Sequence, residues 1–187
     1  SDLNVQDHDR LVEVGHEIRK MIIVIFGLPA TGKTYLSEHL VESLDAMHLS
    51  TDITRKKIGK MGEYDESSKH QVYKTMLQEL VKYANDQRYV IIEGTFWKES
   101  LRQKIKHTAE KLNKDIVFIE LLAEEKTIKD RIKKDRKHSE ADFYAYLTVR
   151  DNFEEMPQPD LVLRSDQMNL YEMLNRIKRL IDEKRTD

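Results

Sequence analysis

Cysteine is absent from the 187 residues, so the chain can form no disulfide, no thiolate zinc site and no cysteine nucleophile. A protein without cysteine suits a reducing compartment. The longest wholly apolar run covers residues 21–26, far fewer than the roughly 20 that a membrane helix needs, and no signal-peptide pattern opens the sequence. We therefore expect a soluble, cytoplasmic protein that uses no membrane partner.

Neither sign of charge is in clear excess, since 32 lysines and arginines stand against 34 aspartates and glutamates. A protein that coats nucleic acid through its overall charge carries a large basic surplus. The balance therefore argues against that class, although a local basic patch remains compatible with the sequence. A chain of this length favours one domain with a core that needs no disulfide or metal to stabilise it.

Residues 1–20 are polar and charged, and their few apolar residues have a loosely helical spacing. This pattern predicts a short N-terminal helix, or a linker from an upstream domain in a longer chain. We assign residues 21–187 to a single folded domain.

Apolar runs and amphipathic helical patterns alternate after residue 20. Met21–Phe26 is continuously apolar, which is typical of a strand buried on both faces of a parallel sheet. The alternation predicts an α/β fold with an open, five-stranded, mostly parallel sheet and helices on both faces. The predicted strands are residues 21–26, 46–49, 89–92, 116–122 and 161–163, and the predicted helices are residues 33–44, 65–87, 100–113, 124–137, 140–155 and 168–184.

A glycine-containing segment follows the first predicted strand. Gly27-Leu28-Pro29-Ala30-Thr31-Gly32-Lys33-Thr34 fits the P-loop pattern G-x-x-x-x-G-K-[ST], and all eight residues are predicted nucleotide-binding residues. Gly27 and Gly32 allow backbone N–H groups to converge on phosphate oxygens at the positive end of the next helix. Lys33 is expected to reach the β- and γ-phosphates of ATP, and Thr34 is expected to offer its hydroxyl to Mg²⁺. The pattern predicts a P-loop NTPase fold.

Two classes of P-loop protein are disfavoured by what the sequence lacks. A Ras-like GTPase carries D-x-x-G, but no glycine here has an aspartate three residues before it, and residues 113–115 do not form a guanine-reading N-K-x-D. Transport and unfolding ATPases place adjacent Asp-Glu after an apolar strand, whereas the corresponding segment here reads Ile91-Ile92-Glu93-Gly94. The chain is also too short for a nucleotide-dependent motor.

Polar residues follow the second predicted strand, at Ser50-Thr51-Asp52-Ile53-Thr54-Arg55. The carboxyl ends of parallel strands face the phosphates in this fold, so Asp52 would lie where an acceptor hydroxyl arrives. A carboxylate there can take or orient the hydroxyl proton, and Arg55, one helical turn later, can bind an anionic or polar acceptor. Alternatively, Asp52 caps a helix and Arg55 is a solvated surface charge.

The combination of these segments resembles the P-loop kinase group that includes polynucleotide 5′-kinases, zeta toxins and chloramphenicol phosphotransferase-like enzymes. The resemblance covers roughly residues 21–185 and implies that Asp52 is the general base and that Arg55 binds the acceptor. It also implies a place for Glu93 beside the magnesium-water shell or the acceptor. The segments that carry it are GLPATGKT, STDITR, IIEGTF with Arg102 downstream, the Arg131 to Arg136 stretch, and YLTVRDNFEEMPQPDLVL.

The segment after the fourth predicted strand is rich in positive charge, with seven Lys or Arg and two Asp over residues 126–138. Such runs are commonly solvated helix faces. In P-loop kinases, however, this segment forms a mobile lid whose arginines neutralise charge on the transferring phosphoryl group. We predict a helical lid at about residues 124–138, with Arg131 and Arg136 as catalytic arginines and Lys134 as an alternative.

These observations predict a magnesium-dependent kinase that transfers the γ-phosphate of ATP to an acceptor hydroxyl. Lys33, Asp52, Arg131 and Arg136 are the predicted catalytic residues, and Thr34 is the predicted metal ligand. The acceptor, bound by Arg55 and Glu93, is either a small molecule or a 5′-hydroxyl nucleic acid, and the sequence leaves both open. The alternative function is a nucleotide-binding switch or regulatory ATPase module without an acceptor.

Overall fold

A computed structural model describes residues 20–135 and 140–186 of the chain. Within these ranges, five strands form one sheet in the order β2-β3-β1-β4-β5, and all four neighbouring pairs are parallel. The strands are β1 (Met21–Phe26), β2 (Met47–Ser50), β3 (Tyr89–Gly94), β4 (Asp115–Leu122) and β5 (Leu161–Arg164). The helices are α1 (Lys33–Leu44), α2 (Thr51–Lys57), α3 (Glu66–Tyr83), α4 (Glu99–Lys111), α5 (Glu125–Lys134), α6 (Glu140–Asn152) and α7 (Leu170–Thr186).

This architecture confirms the predicted α/β fold with a five-stranded parallel sheet. The helix or linker expected at residues 1–20 lies outside the described residues, except for Lys20. No helix within the described ranges combines the length and apolarity that crossing a membrane requires.

Strand β1 lies at the centre of the sheet, paired with β3 on one side and β4 on the other. All its residues are buried, because successive side chains alternate between two covered faces. One face packs against α1 and α7, and the opposite face packs against α3 and α4. A third, smaller cluster joins α5 and α6 to the P-loop residues Leu28 and Ala30. The predicted lid region therefore rests on the phosphate loop through apolar contacts.

Several element ends differ from the predictions, and polar residues explain two of them. Strand β3 continues past Ile92 through Glu93 to Gly94, because Glu93 pairs with Ser50 and Ile25 in the sheet and its carboxylate finds side-chain partners. Helix α3 ends at Tyr83 rather than at residue 87. The amide of Ala84 closes its last turn, and polar residues then lead to β3.

Arg102 of α4 is a fully buried cation that ties three segments together. Its Nε donates to the Phe96 carbonyl at 2.8 Å, and Nη1 donates to the Glu99 carboxylate at 2.8 Å. Its Nη2 donates to the carbonyls of Trp97 and Glu154. A single guanidinium thus holds the turn after β3 against the segment after α6.

We expect Arg102→Lys to lower the free energy of unfolding by about 3 kcal/mol, because lysine keeps the charge but cannot serve four acceptors in a fork. For a chain of this size, that loss corresponds to a fall of roughly 6–12 °C in Tm. Urea and thermal unfolding measure both quantities. The control is Arg179→Lys, at an exposed position of α7, which should change stability by less than about 0.5 kcal/mol. Equal stability of the two variants would contradict a bracing role for Arg102.

Candidate active site

The P-loop connects the end of β1 to the start of α1. Its backbone takes left-handed conformations at Ala30 and Gly32, with φ values of 62° and 96°. The Thr31 hydroxyl and the Lys33 ammonium group both donate to the Leu28 carbonyl at 2.8 Å, which closes the loop on itself. Gly32 is the N-cap of α1 and supplies no capping side chain, so the first amides of that helix remain available to an anion.

Lys33 is partly buried at the base of the loop. Burial lowers the pKa of its ammonium group to about 8, although the negative charges of Glu93 and Asp52 act in the opposite direction. The Lys33 ammonium group is therefore within electrostatic range of both carboxylates that the sequence singled out. A bound phosphate would favour the charged ammonium form further.

Glu93 connects the P-loop to β2. Its Oε1 accepts a hydrogen bond from the Thr34 hydroxyl at 2.6 Å, and its Oε2 lies 2.7 Å from Nε2 of His48. Burial raises the pKa of the Glu93 carboxyl, but the hydrogen bonds from His48 and Thr34 and the charge of Lys33 outweigh it, so the pKa lies below its usual value. The carboxylate is thus ionised and oriented at neutral pH.

A hydroxyl and a carboxylate oxygen beside a phosphate loop are the hard oxygen ligands that Mg²⁺ prefers. Thr34 and Glu93 therefore fit this ion. No group of three or more acidic or histidine side chains among the described residues is arranged to hold a metal. Mg²⁺ in general commonly takes most of its ligands from phosphates and water.

Asp52 and Arg55 lie one turn apart on α2, at the carboxyl end of β2. The N-cap of α2 is Ser50, whose hydroxyl accepts the amide of Ile53 at 3.0 Å, so the alternative of Asp52 as the cap is wrong. The Asp52 side chain is 77% exposed, whereas the Arg55 side chain is only 7% exposed. The alternative of Arg55 as a solvated surface charge is therefore also wrong.

Arg55 is buried with few partners. Its Nη1 lies 3.5 Å from Oδ1 of Asp52, and its guanidinium carbon lies 4.5 Å from the centre of the Tyr64 ring. Its buried Nε has no hydrogen-bond partner within residues 20–135 and 140–186. A buried donor left unsatisfied is costly, so the arrangement favours a further, anionic or polar partner at this guanidinium.

Arg131 of α5 contacts the phosphate loop. Its Nη1 donates to the Ala30 carbonyl and to the Ser165 hydroxyl, both at 3.0 Å. Ser165 in turn donates to the Thr31 carbonyl at 2.6 Å, so the turn after β5 is joined to the loop as well. Lys134 is exposed at the end of α5, and Arg136 lies outside the described residues.

Three of these site residues were not singled out by sequence reasoning. His48 belongs to a histidine set without metal-binding spacing, Tyr64 lies in a polar loop, and Ser165 follows the last strand. Only the sheet order β2-β3-β1 places His48 next to Glu93. A local pattern in the sequence holds no signal for such a contact.

The parallel sheet, the P-loop after its central strand and the polar groups at neighbouring strand ends define a P-loop protein of the kinase-like class. A family model described as "AAA domain" matches residues 22–156, and the chain belongs to this family. A comparison with curated protein sequences finds no match.

Several solved structures share the fold. A gluconokinase from Sinorhizobium meliloti 1021 superposes with a TM-score of 0.70 at 16% identity, over 90% of this chain and 96% of that one. The Mycobacterium tuberculosis APS kinase CysC, solved with AMPPNP and APS, gives 0.69 at 14% identity, over 88% and 98%. A chain of the Pnkp1/Rnl/Hen1 RNA repair complex gives 0.58 at 15% identity, over 79% and 50%. At these identities the likeness concerns the fold, and it confirms the resemblance to P-loop kinases.

Proposed function

We propose that the protein is a magnesium-dependent kinase that transfers the γ-phosphate of ATP to an acceptor hydroxyl. One observation carries the proposal beyond nucleotide binding. An exposed carboxylate, Asp52, lies beside a buried guanidinium, Arg55, and both follow a strand that is two positions from β1 and its P-loop. A nucleotide switch has no need of an acceptor-binding cation beside an accessible base.

The chemistry assigns a role to each group. Lys33 and the P-loop amides bind and orient the phosphates. Arg131, which contacts the loop from the lid side, neutralises charge on the transferring phosphoryl group as a catalytic arginine. Asp52 accepts the proton of the acceptor hydroxyl, and the oxygen of that hydroxyl forms a bond to the γ-phosphorus. The bond between the γ-phosphorus and the β–γ bridging oxygen breaks at the same time, and ADP leaves. Magnesium, when held by Thr34 and Glu93, supplies charge neutralisation on the phosphates.

Glu93 suits the metal side of the site better than the acceptor side. It is 4% exposed, and both of its oxygens already contact Thr34 and His48. Arg55 is then the main acceptor-binding residue. Arg136 retains its predicted catalytic role as a proposal, since the structure describes the chain only to Asp135 on that side.

The test is transfer of labelled γ-phosphate from ATP to a panel of acceptors: 5′-hydroxyl RNA and DNA oligonucleotides, nucleosides, sugars and chloramphenicol. We expect Asp52→Asn to lower kcat by at least about 100-fold, because the amide cannot accept the proton, while ATP affinity stays within about twofold. The matched control is Asp86→Asn, an exposed aspartate before β3 at the opposite end of the sheet.

Two outcomes would contradict the proposal. Unchanged transfer by Asp52→Asn would exclude Asp52 as the general base. Release of the label only as inorganic phosphate, with every acceptor present, would favour the regulatory ATPase over the kinase.

A further inference from the structure

A cavity of about 470 Å³ lies between α3 and α4, and we call it the α3–α4 groove. Most of its lining is apolar and comes from both helices, from β3 and from the turn that follows β3. The apolar side chains include Met76, Leu77, Val81, Ile92, Phe96 and Ile105. A volume of this size is typical of pockets that bind a small organic molecule.

The polar groups that line the α3–α4 groove favour a negatively charged ligand. Lys74 of α3 and Lys104 of α4 contribute one exposed ammonium group from each helix. Within residues 20–135 and 140–186, neither ammonium group has an ion-pair or hydrogen-bond partner, and no aspartate or glutamate lines the groove. Two unpaired positive charges beside an apolar floor complement an anion that is attached to an apolar body.

The α3–α4 groove is separate from the phosphate site. Among the residues that the structure describes, neither the P-loop nor α2 contributes to its lining. The rings of Tyr73 and Phe96 form one wall of the groove, 5.2 Å apart, and the Phe96 amide donates to the Tyr73 hydroxyl at 3.3 Å. A Cβ at Gly94 would lie 3.0 Å from Cε2 of Phe96 and 2.8 Å from Cγ2 of Thr51, so this wall adjoins the start of α2. A ligand in the groove therefore leaves the P-loop free for a nucleotide.

We propose that the α3–α4 groove binds a small carboxylate that carries an alkyl chain or an aromatic ring. The apolar body of the ligand displaces water from the floor of the groove, and the two ammonium groups stabilise the carboxylate at its rim. The inference goes beyond the proposed kinase function and does not depend on it, because binding to this surface requires no turnover. Polar, uncharged molecules gain neither interaction.

The probe for the experiment is 8-anilinonaphthalene-1-sulfonate, an anion with apolar rings whose fluorescence rises in an apolar site. It is titrated into the full chain after saturation with AMPPNP and Mg²⁺, so that the P-loop is occupied. Decanoate and decylammonium then compete with the probe in separate titrations, since they share an alkyl chain and differ in the sign of their charge. We expect one probe per chain, displaced by decanoate at concentrations at least tenfold lower than by decylammonium.

The double variant Lys74→Ala/Lys104→Ala should weaken decanoate binding at least fivefold, because both positive charges of the groove are lost. Its matched control is Lys82→Ala/Lys106→Ala, which removes one exposed lysine from each of the same helices without touching the lining of the groove. The control should bind decanoate within about twofold of the wild-type affinity.

Val81→Asp tests the wall of the groove without disturbing the core, since Val81 is 51% exposed. A carboxylate at this position repels the anion, so we expect decanoate binding to weaken at least tenfold with little change in Tm. The matched control is Val162→Asp, at a valine of β5 that is 41% exposed and lies outside the groove. It should bind decanoate as the wild-type protein does.

Equal competition by decanoate and decylammonium, or equal affinities of the two double variants, would overturn the proposed anion site. Probe fluorescence that AMPPNP removes would also overturn it, because the probe would then lie in the phosphate site. A dimer in light scattering that Val81→Asp dissociates, without saturable probe binding, would assign the groove to a second copy of the chain instead.

Discussion

A Lys33→Met variant is expected to lose roughly 1,000-fold in kcat/KM for phosphotransfer, because it removes a preorganised positive charge from the phosphate loop. Methionine has a similar length and no charge. In the free protein, the variant also removes a partly buried ammonium group whose pKa is already lowered by burial. We therefore expect the folded state to keep its stability, so that the loss of activity reflects missing charge rather than unfolding.

The measurements for this variant are kcat, KM for ATP and Tm. Lys106→Met, on the exposed face of α4, is the control and should keep kcat/KM within about twofold. A Lys33→Met variant that retains more than about a tenth of the activity would show that the loop amides alone bind the phosphates.

Gly27→Ala is expected to lower the free energy of unfolding by about 4 kcal/mol and to abolish nucleotide binding. A Cβ at this position would lie 2.4 Å from the carbonyl oxygen of Leu121, which is backbone in a neighbouring strand and cannot move aside. The φ angle of 149° adds strain for any residue with a side chain. Denaturant unfolding and nucleotide titration by calorimetry measure the two effects.

The control variant Gly59→Ala separates the backbone strain of a positive φ from the steric clash that a Cβ makes at Gly27. Gly59 also has a positive φ, 73°, but a Cβ there would meet no atom within 4 Å. We expect a cost of about 1 kcal/mol from the backbone conformation alone, with nucleotide binding preserved. Similar losses in the two alanine variants would show that close approach to Leu121 is not what Gly27 provides.

The predictions made from the sequence were most accurate for strongly patterned segments. The run Met21–Phe26 is a buried central strand with the predicted boundaries, because both faces of the sheet require apolar side chains there. The P-loop likewise lies between a strand and a helix, as its pattern required. The end of β3 was predicted two residues early, because a carboxylate normally ends an apolar strand and only partners from other segments make Glu93 tolerable there.

On the acceptor side, residue spacing alone could not distinguish between the alternative roles of Asp52 and Arg55. Spacing left Asp52 as either a base or a helix cap, and two neighbouring residues, Ser50 and Asp52, are both favourable caps. The backbone path excluded the cap, since the amide of Ile53 reaches the Ser50 hydroxyl, and the base remains a proposal. Burial of Arg55 depends on the packing of Tyr64 and α3, which are distant enough in sequence that helical periodicity carries no information about them.

By itself, the sequence determined the α/β class, the strand and helix succession and the phosphate loop, because each depends on periodicity or on residues adjacent in the chain. Only the tertiary structure decided which polar groups meet. The parallel order β2-β3-β1 brings His48, Glu93 and Thr34 into one hydrogen-bonded group, and the turn after β3 places Trp97 against Lys69. Hydrogen bonds and ring contacts act over a few ångströms in space, so they depend on how strands and helices pack and not on separation along the chain.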